Sequence, residues 1–175
     1  MLSLSDRSLY LNELRPPDGY VLDKALATTF TLDLLSLLMA PLSMALFETE
    51  SPSAALRDPT AILEALRRVA GRVAVFTQQG RIAVPGTSSL LYSYLEPAVI
   101  EVRPPRKKGV FHPKIWLLRF VGDGLPVMYR FLCLSRNLTF DKSWDTVLCL
   151  EGTVLNRRYG ISRTKPLVDF VRSLP

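Results

Sequence analysis

The sequence predicts an α/β fold in which helices flank both faces of a mixed central β-sheet. Short runs of β-branched and aromatic residues first alternate with helical patterns, which is typical of strands joined by helices. Closely spaced apolar runs follow, and these indicate a meander of strands. A chain of 175 residues with 48% hydrophobic content is long and apolar enough for one core, which excludes a disordered chain. We therefore expect a single domain over residues 1–175.

The first part of the chain predicts one strand and one helix. Residues 1–20 form a polar lead-in that prolines and a glycine close. The run VLDKALATTF at 21–30 predicts a strand. Thr31 is then a candidate N-cap for a helix that begins at Leu32, and Pro41 kinks this helix or begins another.

A second helix is predicted from Asp58, because an N-cap residue followed by Pro59 is a strong helix start. Gly71 ends this helix. Strands are predicted next at 72–77 and 98–102, with a short helical segment between them at 88–95.

Three apolar runs near the end of the chain predict neighbouring strands. The runs are HPKIWLLRF at 112–120, PVMYRFLCLS at 126–135 and WDTVLCLEG at 144–152. Aliphatic and aromatic content of this kind is typical of strands. A last helix is predicted from Leu167 to Leu174.

The apolar stretch at 25–47 resembles a membrane span by composition alone. Asp33 interrupts it, at a cost of about 2.5 to 3.5 kcal/mol in the middle of a bilayer, and Pro41 breaks the remainder. We predict buried elements here and no membrane partner.

Charge and cysteine content limit the class of partner. The formal net charge of +6 favours an anionic partner, with nucleic acid as the first candidate, over an inert basic surface. Cys133 and Cys149 lie in apolar runs, where cysteine is usually a small buried hydrophobe. With one histidine beside them, they predict no disulfide framework, no metal site and no cofactor, and they fit a reducing cytoplasm. The N-terminus lacks the pattern of a signal peptide.

Two short polar motifs are candidates for a site. His112 and Lys114 are two residues apart, so a strand would project both from one face. Ser135 and Asn137 repeat that spacing at the end of the next predicted strand. If the strands are neighbours, an imidazole, an ammonium, a hydroxyl and an amide converge, and such a set suits a phosphate. A lone histidine in a strand is more often structural, but the matched spacing favours function.

This pattern resembles the signature of the phospholipase D superfamily, HxK followed by SxN and an acid. The motif region is 111–150, with one HxK/SxN pair in the chain, and the matching residues are His112, Lys114, Ser135, Asn137 and Asp145. The segment SRNLT is similar to the branch of DNA-acting nucleases and accessory domains of restriction enzymes and helicases. The resemblance implies a metal-independent phosphodiesterase, foremost a DNA endonuclease of a bacterial restriction or anti-phage defence system.

The resemblance also implies a role for each matching residue. His112 would attack the phosphorus and form a phosphohistidine, while Lys114 and Asn137 would bind the non-bridging oxygens. Ser135 would hold a phosphate oxygen. Asp145 would orient His112 and fix its tautomer.

Two departures from the superfamily pattern raise the question of a partner. Arg119 stands where an acid is common, and the chemistry needs two histidines whereas this chain has one. A homodimer would supply the second histidine across a two-fold axis. Another chain or a C-terminal half of a longer protein would supply it equally well. A degenerate site that only binds phosphate is the remaining alternative.

Further contacts to nucleic acid, with DNA favoured over RNA, are predicted around these motifs. The basic segment RPPRKKG precedes His112. The candidate nucleic-acid contacts are Arg103, Arg106, Lys107, Lys108, Arg136 and Trp144. Among the aromatic residues around the site, Phe140 and Trp144 are the best candidates to stack on a base, although core packing is favoured even for them. Competing functions are a non-catalytic nucleic-acid-binding module and, less favoured for want of an interfacial amphipathic helix, a phospholipid hydrolase.

Overall fold

The computed structural model describes residues 10–46, 58–83, 85–86, 90–104, 106, 108–141, 143–155 and 162–175. The helices are α1 (Tyr10–Glu13), α2 (Leu34–Leu46), α3 (Pro59–Ala70) and α4 (Lys165–Arg172), with 3-10 segments at Leu90–Tyr94, Glu96–Ala98 and Ser162–Thr164. The strands are β1 (Val21–Thr29), β2 (Leu32–Asp33), β3 (Val73–Gln78), β4 (Ile82–Ala83), β5 (Val99–Val102), β6 (Ile115–Val121), β7 (Met128–Leu134) and β8 (Val147–Thr153).

The described strands form a mixed six-stranded sheet in the order β5-β3-β1-β6-β7-β8. β1, β3 and β5 run parallel to one another, as expected for strands separated by helices. β6 pairs antiparallel with β1, and β7 and β8 continue the meander that the close spacing of the apolar runs predicts. The α/β class and the mixed sheet are therefore confirmed.

The core lies between one face of this sheet and the helices α2 and α3. Ala27 and Trp116 pair across β1 and β6 and are both fully buried. Leu37 from α2 and Leu66 from α3 belong to the same buried cluster. This packing fixes the ends of β1 and β6, and the candidate site lies at those ends.

The first long helix begins differently from the sequence prediction. Asp33 rather than Thr31 caps α2, because its carboxylate accepts hydrogen bonds from Leu35 N at 2.7 Å and Ser36 N at 3.3 Å. Leu32 and Asp33 first form the short strand β2. Pro41 lies inside α2, which continues past it.

The second helix agrees with the prediction. Asp58 caps α3 through Thr60 N at 2.9 Å, with Pro59 in the first turn. Gly71 is the C-cap. A proline fits this position because its missing N–H would have no partner in the first turn.

The motif strands are shorter than predicted. β6 begins at Ile115, so His112 and Lys114 precede the strand instead of projecting from it, and Ser135 and Asn137 follow the end of β7. In the helical segment predicted at 88–95, residues 88 and 89 lie outside the described residues, and Leu90–Tyr94 is a 3-10 segment. The last helix, α4, begins before the predicted Leu167.

The expected burial of the two cysteines is wrong. Cys133 and Cys149 are both exposed. β8 is the last strand of the sheet in the described part of the chain, and Leu148 and Leu150 on it are each 54% exposed. An apolar strand run therefore does not guarantee burial at the edge of a sheet.

The apolar stretch around α2 is a packed helix of the core. Among the described helices, none combines the length and the apolar character needed to cross a membrane.

Candidate active site

Two strand ends hold the segment that carries the HPK motif. The backbone N–H of Phe111 donates to the side-chain oxygen of Gln78 at 2.7 Å, and Gln78 ends β3. On the other side of the motif, Ile115 N donates to the buried hydroxyl of Thr28, in β1, at 3.2 Å. The motif is thus fixed at both its ends, although its residues lie outside any strand.

His112 lies between an aromatic ring and an ammonium group. Its ring centroid is 5.1 Å from that of Phe30, and the two planes are inclined by 48°. The Nζ atom of Lys114 is 3.1 Å from each ring nitrogen of His112 and 3.3 Å from the His112 carbonyl oxygen. His112 is exposed, so a substrate can reach the ring.

The ammonium and the imidazole constrain each other. A neutral imidazole has one unprotonated nitrogen, so Lys114 can donate to only one of the two nitrogens it contacts, and the tautomer decides which. The lone pair of the unprotonated nitrogen is the electron pair that a nucleophile uses. Burial lowers the pKa of Lys114 from its ordinary value. The pair therefore combines a nucleophile with a cation that can bind phosphate oxygens.

Asn137 is tied to the same strand end as Phe30. Its side-chain oxygen accepts the backbone N–H of Phe30 at 3.2 Å. The hydroxyl of Thr29, which is fully buried, accepts Leu138 N at 3.0 Å and donates to the carbonyl of Thr31 at 2.7 Å. With its oxygen engaged, Asn137 keeps its NH₂ group for an anion.

Ser135 and Asp145 form a separate hydrogen-bonded unit. One carboxylate oxygen of Asp145 accepts the Ser135 hydroxyl, Ser135 N at 3.0 Å and Arg136 N at 3.1 Å. Thr146 N in turn donates to the Ser135 hydroxyl at 3.0 Å. The hydrogen bonds that the structure shows for Asp145 thus lead to the end of β7, whereas the sequence interpretation assigned this carboxylate to His112. Because β8 pairs with β7, Asp145, which lies shortly before β8, is placed beside Ser135 and Arg136, which follow β7.

Arg136 braces the connection between β7 and β8 from inside. Its guanidinium donates to the carbonyls of Ser143 at 2.7 Å and Asp141 at 2.9 Å, and it forms an ion pair of 2.7 Å with the Asp141 carboxylate. Hydrogen bonds from the Ser143 hydroxyl and backbone N–H, then from the Thr139 hydroxyl, lower the pKa of Asp141 to about 2. Arg136, predicted to contact nucleic acid, is therefore already engaged by this loop.

The other predicted basic contacts lie in the segment that leads to His112. Arg103, Arg106 and Lys108 are exposed, and Lys107 lies outside the described residues. Arg103 also donates to the side-chain oxygen of Gln79 at 2.8 Å. A further cation, Arg81, was not predicted; its guanidinium carbon is 5.3 Å from the centroid of the Phe30 ring.

The two aromatic side chains of the β7–β8 connection face solvent. Trp144 is 83% exposed and Phe140 is 68% exposed. Core packing, the interpretation that the sequence favoured for them, is wrong.

Several site residues were missed by the sequence interpretation. They are Thr28, Thr29, Phe30, Gln78 and Arg81. A signal was available, since ATTF and TQQGR are polar or aromatic groups at the ends of two predicted parallel strands, where ligand sites are common in α/β folds. For a metal, the described residues offer no cluster of three or more His, Cys, Asp or Glu side chains.

Comparison with known proteins identifies the fold. No protein-family model matches the sequence, and no curated protein matches it. Three crystal structures of variants of yeast tyrosyl-DNA phosphodiesterase match, with TM-scores of 0.59, 0.58 and 0.54 and identities of 11%, 13% and 13%. Each match covers 93% of this chain but only 32% or 33% of the yeast chain. This chain thus spans about a third of the length of the proteins it matches.

Proposed function

We propose that this chain, which has the phospholipase-D-like fold, is one half of a metal-independent phosphodiesterase. Its nucleophile is His112. The observation that carries this proposal is the position of the Lys114 ammonium, 3.1 Å from both ring nitrogens of an exposed histidine. Asn137 supports it, because a hydrogen bond to Phe30 N joins this amide to the residue that packs on His112.

The reaction takes two steps. A nitrogen of His112 attacks the phosphorus, the bond from phosphorus to the leaving oxygen breaks, and an acid supplies the proton that this oxygen needs. Water then attacks the phosphohistidine, losing a proton to a base, and the nitrogen–phosphorus bond breaks. Lys114 and the Asn137 amide bind the non-bridging oxygens, whose charge rises in both transition states.

The acid and base must come from a second copy of the motif. This chain has one histidine, so a two-fold homodimer or a complementary half supplies the other imidazole. The extent of the structural match supports such pairing, because this chain corresponds to about a third of the yeast enzyme.

DNA is the proposed substrate. The net charge of +6 and the exposed cations Arg103, Arg106 and Lys108 suit a polyanion. The structures with the same fold belong to an enzyme that is named for a phosphodiester of DNA. A restriction or defence role in the cytoplasm follows from the resemblance of SRNLT to DNA-acting nucleases.

Ser135 has a different proposed role from the one that the motif resemblance implies. Its hydroxyl is engaged by Asp145, so we assign this pair to positioning Asn137 through the loop that both residues fix.

A non-catalytic binding module is the second candidate function. One observation favours it: the described site contains a nucleophile and cations but no second imidazole beside His112 to protonate a leaving oxygen. This module would grip nucleic acid without turnover.

Cleavage of DNA in the presence of EDTA tests the first proposal against the second. We expect His112→Ala to abolish cleavage while binding remains, whereas Asp123→Ala, an exposed carboxylate in the turn after β6, should cleave as wild type. If a purified dimer cleaves neither DNA nor a chromogenic phosphodiester, the enzyme proposal is wrong.

A mixing experiment tests the homodimer. Refolding wild type together with excess His112→Ala should lower the activity per wild-type chain, because each mixed dimer has only one imidazole. Activity that stays proportional to the wild-type chain would show that the second histidine comes from a different protein.

A further inference from the structure

We propose that a cleft beside the β7–β8 connection binds an unpaired nucleobase next to the phosphodiester at His112, which makes single-stranded nucleic acid the preferred substrate. This inference rests on the proposed function and narrows its substrate class. Four features of the cleft support it: its size, its aromatic rim, its shared wall with the phosphate site and its charge.

The cleft has the size of a small-molecule site. Its volume is about 500 Å³, which lies within the range of known ligand pockets. It is bounded by α1, the start of α2 and the β7–β8 connection. The residues that matter to the argument are Tyr10, Ser36, Asn137, Phe140, Trp144 and Asp145.

The rim of the cleft presents two aromatic rings. Phe140 and Trp144 line it and are 68% and 83% exposed. Both rings lie on a connection that is braced by polar contacts such as that of Arg136 with Asp141. Exposed aromatic faces are the usual platforms on which proteins stack single-stranded bases.

Three residues that line the cleft carry polar atoms buried beneath its surface. The hydroxyl of Ser36 and the Nε atom of Arg136 are shielded from solvent and have no hydrogen-bond partner among the described residues. The hydroxyl of Tyr10 is equally shielded and lies near the Trp116 indole without a hydrogen bond of good geometry. Buried polar groups are normally satisfied. Because these atoms are shielded even from water, they do not face the open space of the cleft, and the inference does not depend on them.

Tyr10 lines the cleft from α1, and its phenol is buried. Burial raises the pKa of the Tyr10 phenol well above its ordinary value, and the charge of Asp145 raises it further. The phenol therefore keeps its proton. Its helix α1 is held in place because Arg130 donates to the carbonyls of Glu13 at 2.8 Å and Arg15 at 2.6 Å.

The cleft and the phosphate site share a wall. Asn137 lines the cleft and binds Phe30 N at 3.2 Å, and Phe30 packs on His112. Leu134 also lines the cleft, and its N–H donates to the carbonyl of Lys114 at 2.9 Å. One nucleotide can therefore place its phosphate at His112 and its base in the cleft.

Charge separates the two sites. Lys114 lies beside His112, and Arg81 lies over the Phe30 ring that packs on His112. The cleft is lined by the carboxylates of Asp141 and Asp145 and by Arg136, which pairs with Asp141. The first region offers cations to a phosphate group. The second has two carboxylates and a guanidinium already held in an ion pair, so it offers no free cation for a phosphate and suits an uncharged base. A base stacked and paired inside a duplex cannot enter the cleft without leaving the stack.

Binding of matched oligonucleotides to the full chain tests this inference. Fluorescence anisotropy would compare a single strand, the corresponding duplex and a single strand of the same length that contains only abasic sites. We expect the intact single strand to bind at least about 10-fold more tightly than the other two. Phe140→Ala and Trp144→Ala should each weaken binding of the intact strand about 10-fold and leave binding of the abasic strand unchanged.

A matched control and an independent signal are available in this chain. Leu150→Ala removes an apolar side chain that is 54% exposed on β8 and does not line the cleft, so it should bind as wild type. Tryptophan emission of the wild-type protein should be quenched by the intact strand, since Trp144 is 83% exposed and Trp116 is fully buried.

Three outcomes would overturn the inference. The first is equal affinity for the intact and abasic strands, and the second is unchanged binding by both aromatic variants. The third is a native mass that falls from dimer to monomer in Trp144→Ala, because the aromatic pair would then be a subunit contact. Cleavage of a chromogenic phosphodiester, which carries no nucleobase, tests the proposed function alone, so the two failures can be told apart.

Discussion

The imidazole ring of His112 packs against the phenyl ring of Phe30, with ring centroids 5.1 Å apart. Phe30 directly follows β1, and its backbone N–H binds the side chain of Asn137. One residue at the end of the central strand thus contacts the proposed nucleophile and fixes a proposed phosphate ligand. The orientation of His112 depends on the position of β1 as well as on its own segment.

Replacing Phe30 tests this dependence. Phe30→Ala leaves one face of His112 without support, and we expect kcat on a chromogenic phosphodiester to fall by about 10-fold or more, since small misplacements of reacting groups are costly. Phe30→Tyr keeps the ring and should retain activity within about twofold. Equal activity of the alanine variant would show that Lys114 alone orients the imidazole.

The pH dependence of catalysis should reflect Lys114. Burial lowers its pKa from the ordinary 10.5, so the ammonium loses its proton, and with it the attraction for phosphate, at a lower pH than an exposed lysine. The alkaline limb of kcat/KM should therefore lie below 10.5. Lys114→Arg, which stays charged at these pH values, should lose that limb while its maximum rate is reduced.

Lys114→Met provides the control for charge. It removes a donor aimed at the transferred phosphate, and kcat should fall by about 10²- to 10³-fold at pH values where the wild-type Lys114 is protonated. An alkaline limb in Lys114→Arg that coincides with wild type would assign the titration to another group.

Two neighbouring threonines should respond oppositely to the same substitution. Thr29 and Thr77 pair across β1 and β3 and are both fully buried. The Thr29 hydroxyl holds Leu138 N at 3.0 Å, whereas the Thr77 hydroxyl has no partner among the described residues. Thr29→Val should lower the free energy of unfolding by about 1–3 kcal/mol, since it leaves a buried N–H unpaired. Thr77→Val should be neutral or stabilising.

Urea unfolding of the two valine variants measures this difference. Equal destabilisation by both variants would mean that another acceptor takes over the hydrogen bond from Leu138 N in Thr29→Val. Thr29→Val should also slow cleavage, because Leu138 adjoins Asn137.

The loop that carries Asp141 should be sensitive to acid only at very low pH. The folded pKa of about 2 lies below the ordinary 3.8, so the carboxylate contributes stability that is fully present above the ordinary value. This contribution is lost as the pH falls through about 2. The difference in free energy of unfolding between wild type and Asp141→Asn should therefore be constant at neutral pH and shrink between about 4 and about 2.

Asp123→Asn controls for the loss of one negative charge, because the structure shows no hydrogen bond to this exposed carboxylate among the described residues. Chemical denaturation followed by circular dichroism at several pH values gives the measurement. A difference for Asp141→Asn that does not vary with pH would contradict the assigned hydrogen bonds.

Local sequence patterns were sufficient to predict the strands that flank the motifs. The apolar runs on either side of VGDGL predicted that β6 and β7 are neighbours, and the Asp58–Pro59 pair predicted the start of α3. The start of α2 stayed ambiguous, because Thr31 and Asp33 are both good helix N-caps. Pairing of β2 with β4 makes Asp33 the N-cap.

Long-range contacts could not be read from such patterns. Phe30 and Gln78 reach the motif only because β1 pairs with β6 and β3 pairs with β1, and pairing between distant strands leaves no local signal. The partner of Asp145 was missed because a motif gives an order of residues along the chain but not the path of the loop between them. The exposure of Cys149 depends on the edge position of β8, which its apolar neighbours conceal.

The central position of β1 has a consequence for how the protein is made. β1 leaves the ribosome before both of its partners, and the second of them, β6, begins only at Ile115. Until then one edge of an apolar strand has no hydrogen-bonding partner, and assembly depends on contacts between distant parts of the chain, which fold slowly and favour aggregation. We therefore expect the nascent chain to depend on chaperones until β6 has emerged, and the histidine to reach its place only at that late stage of synthesis.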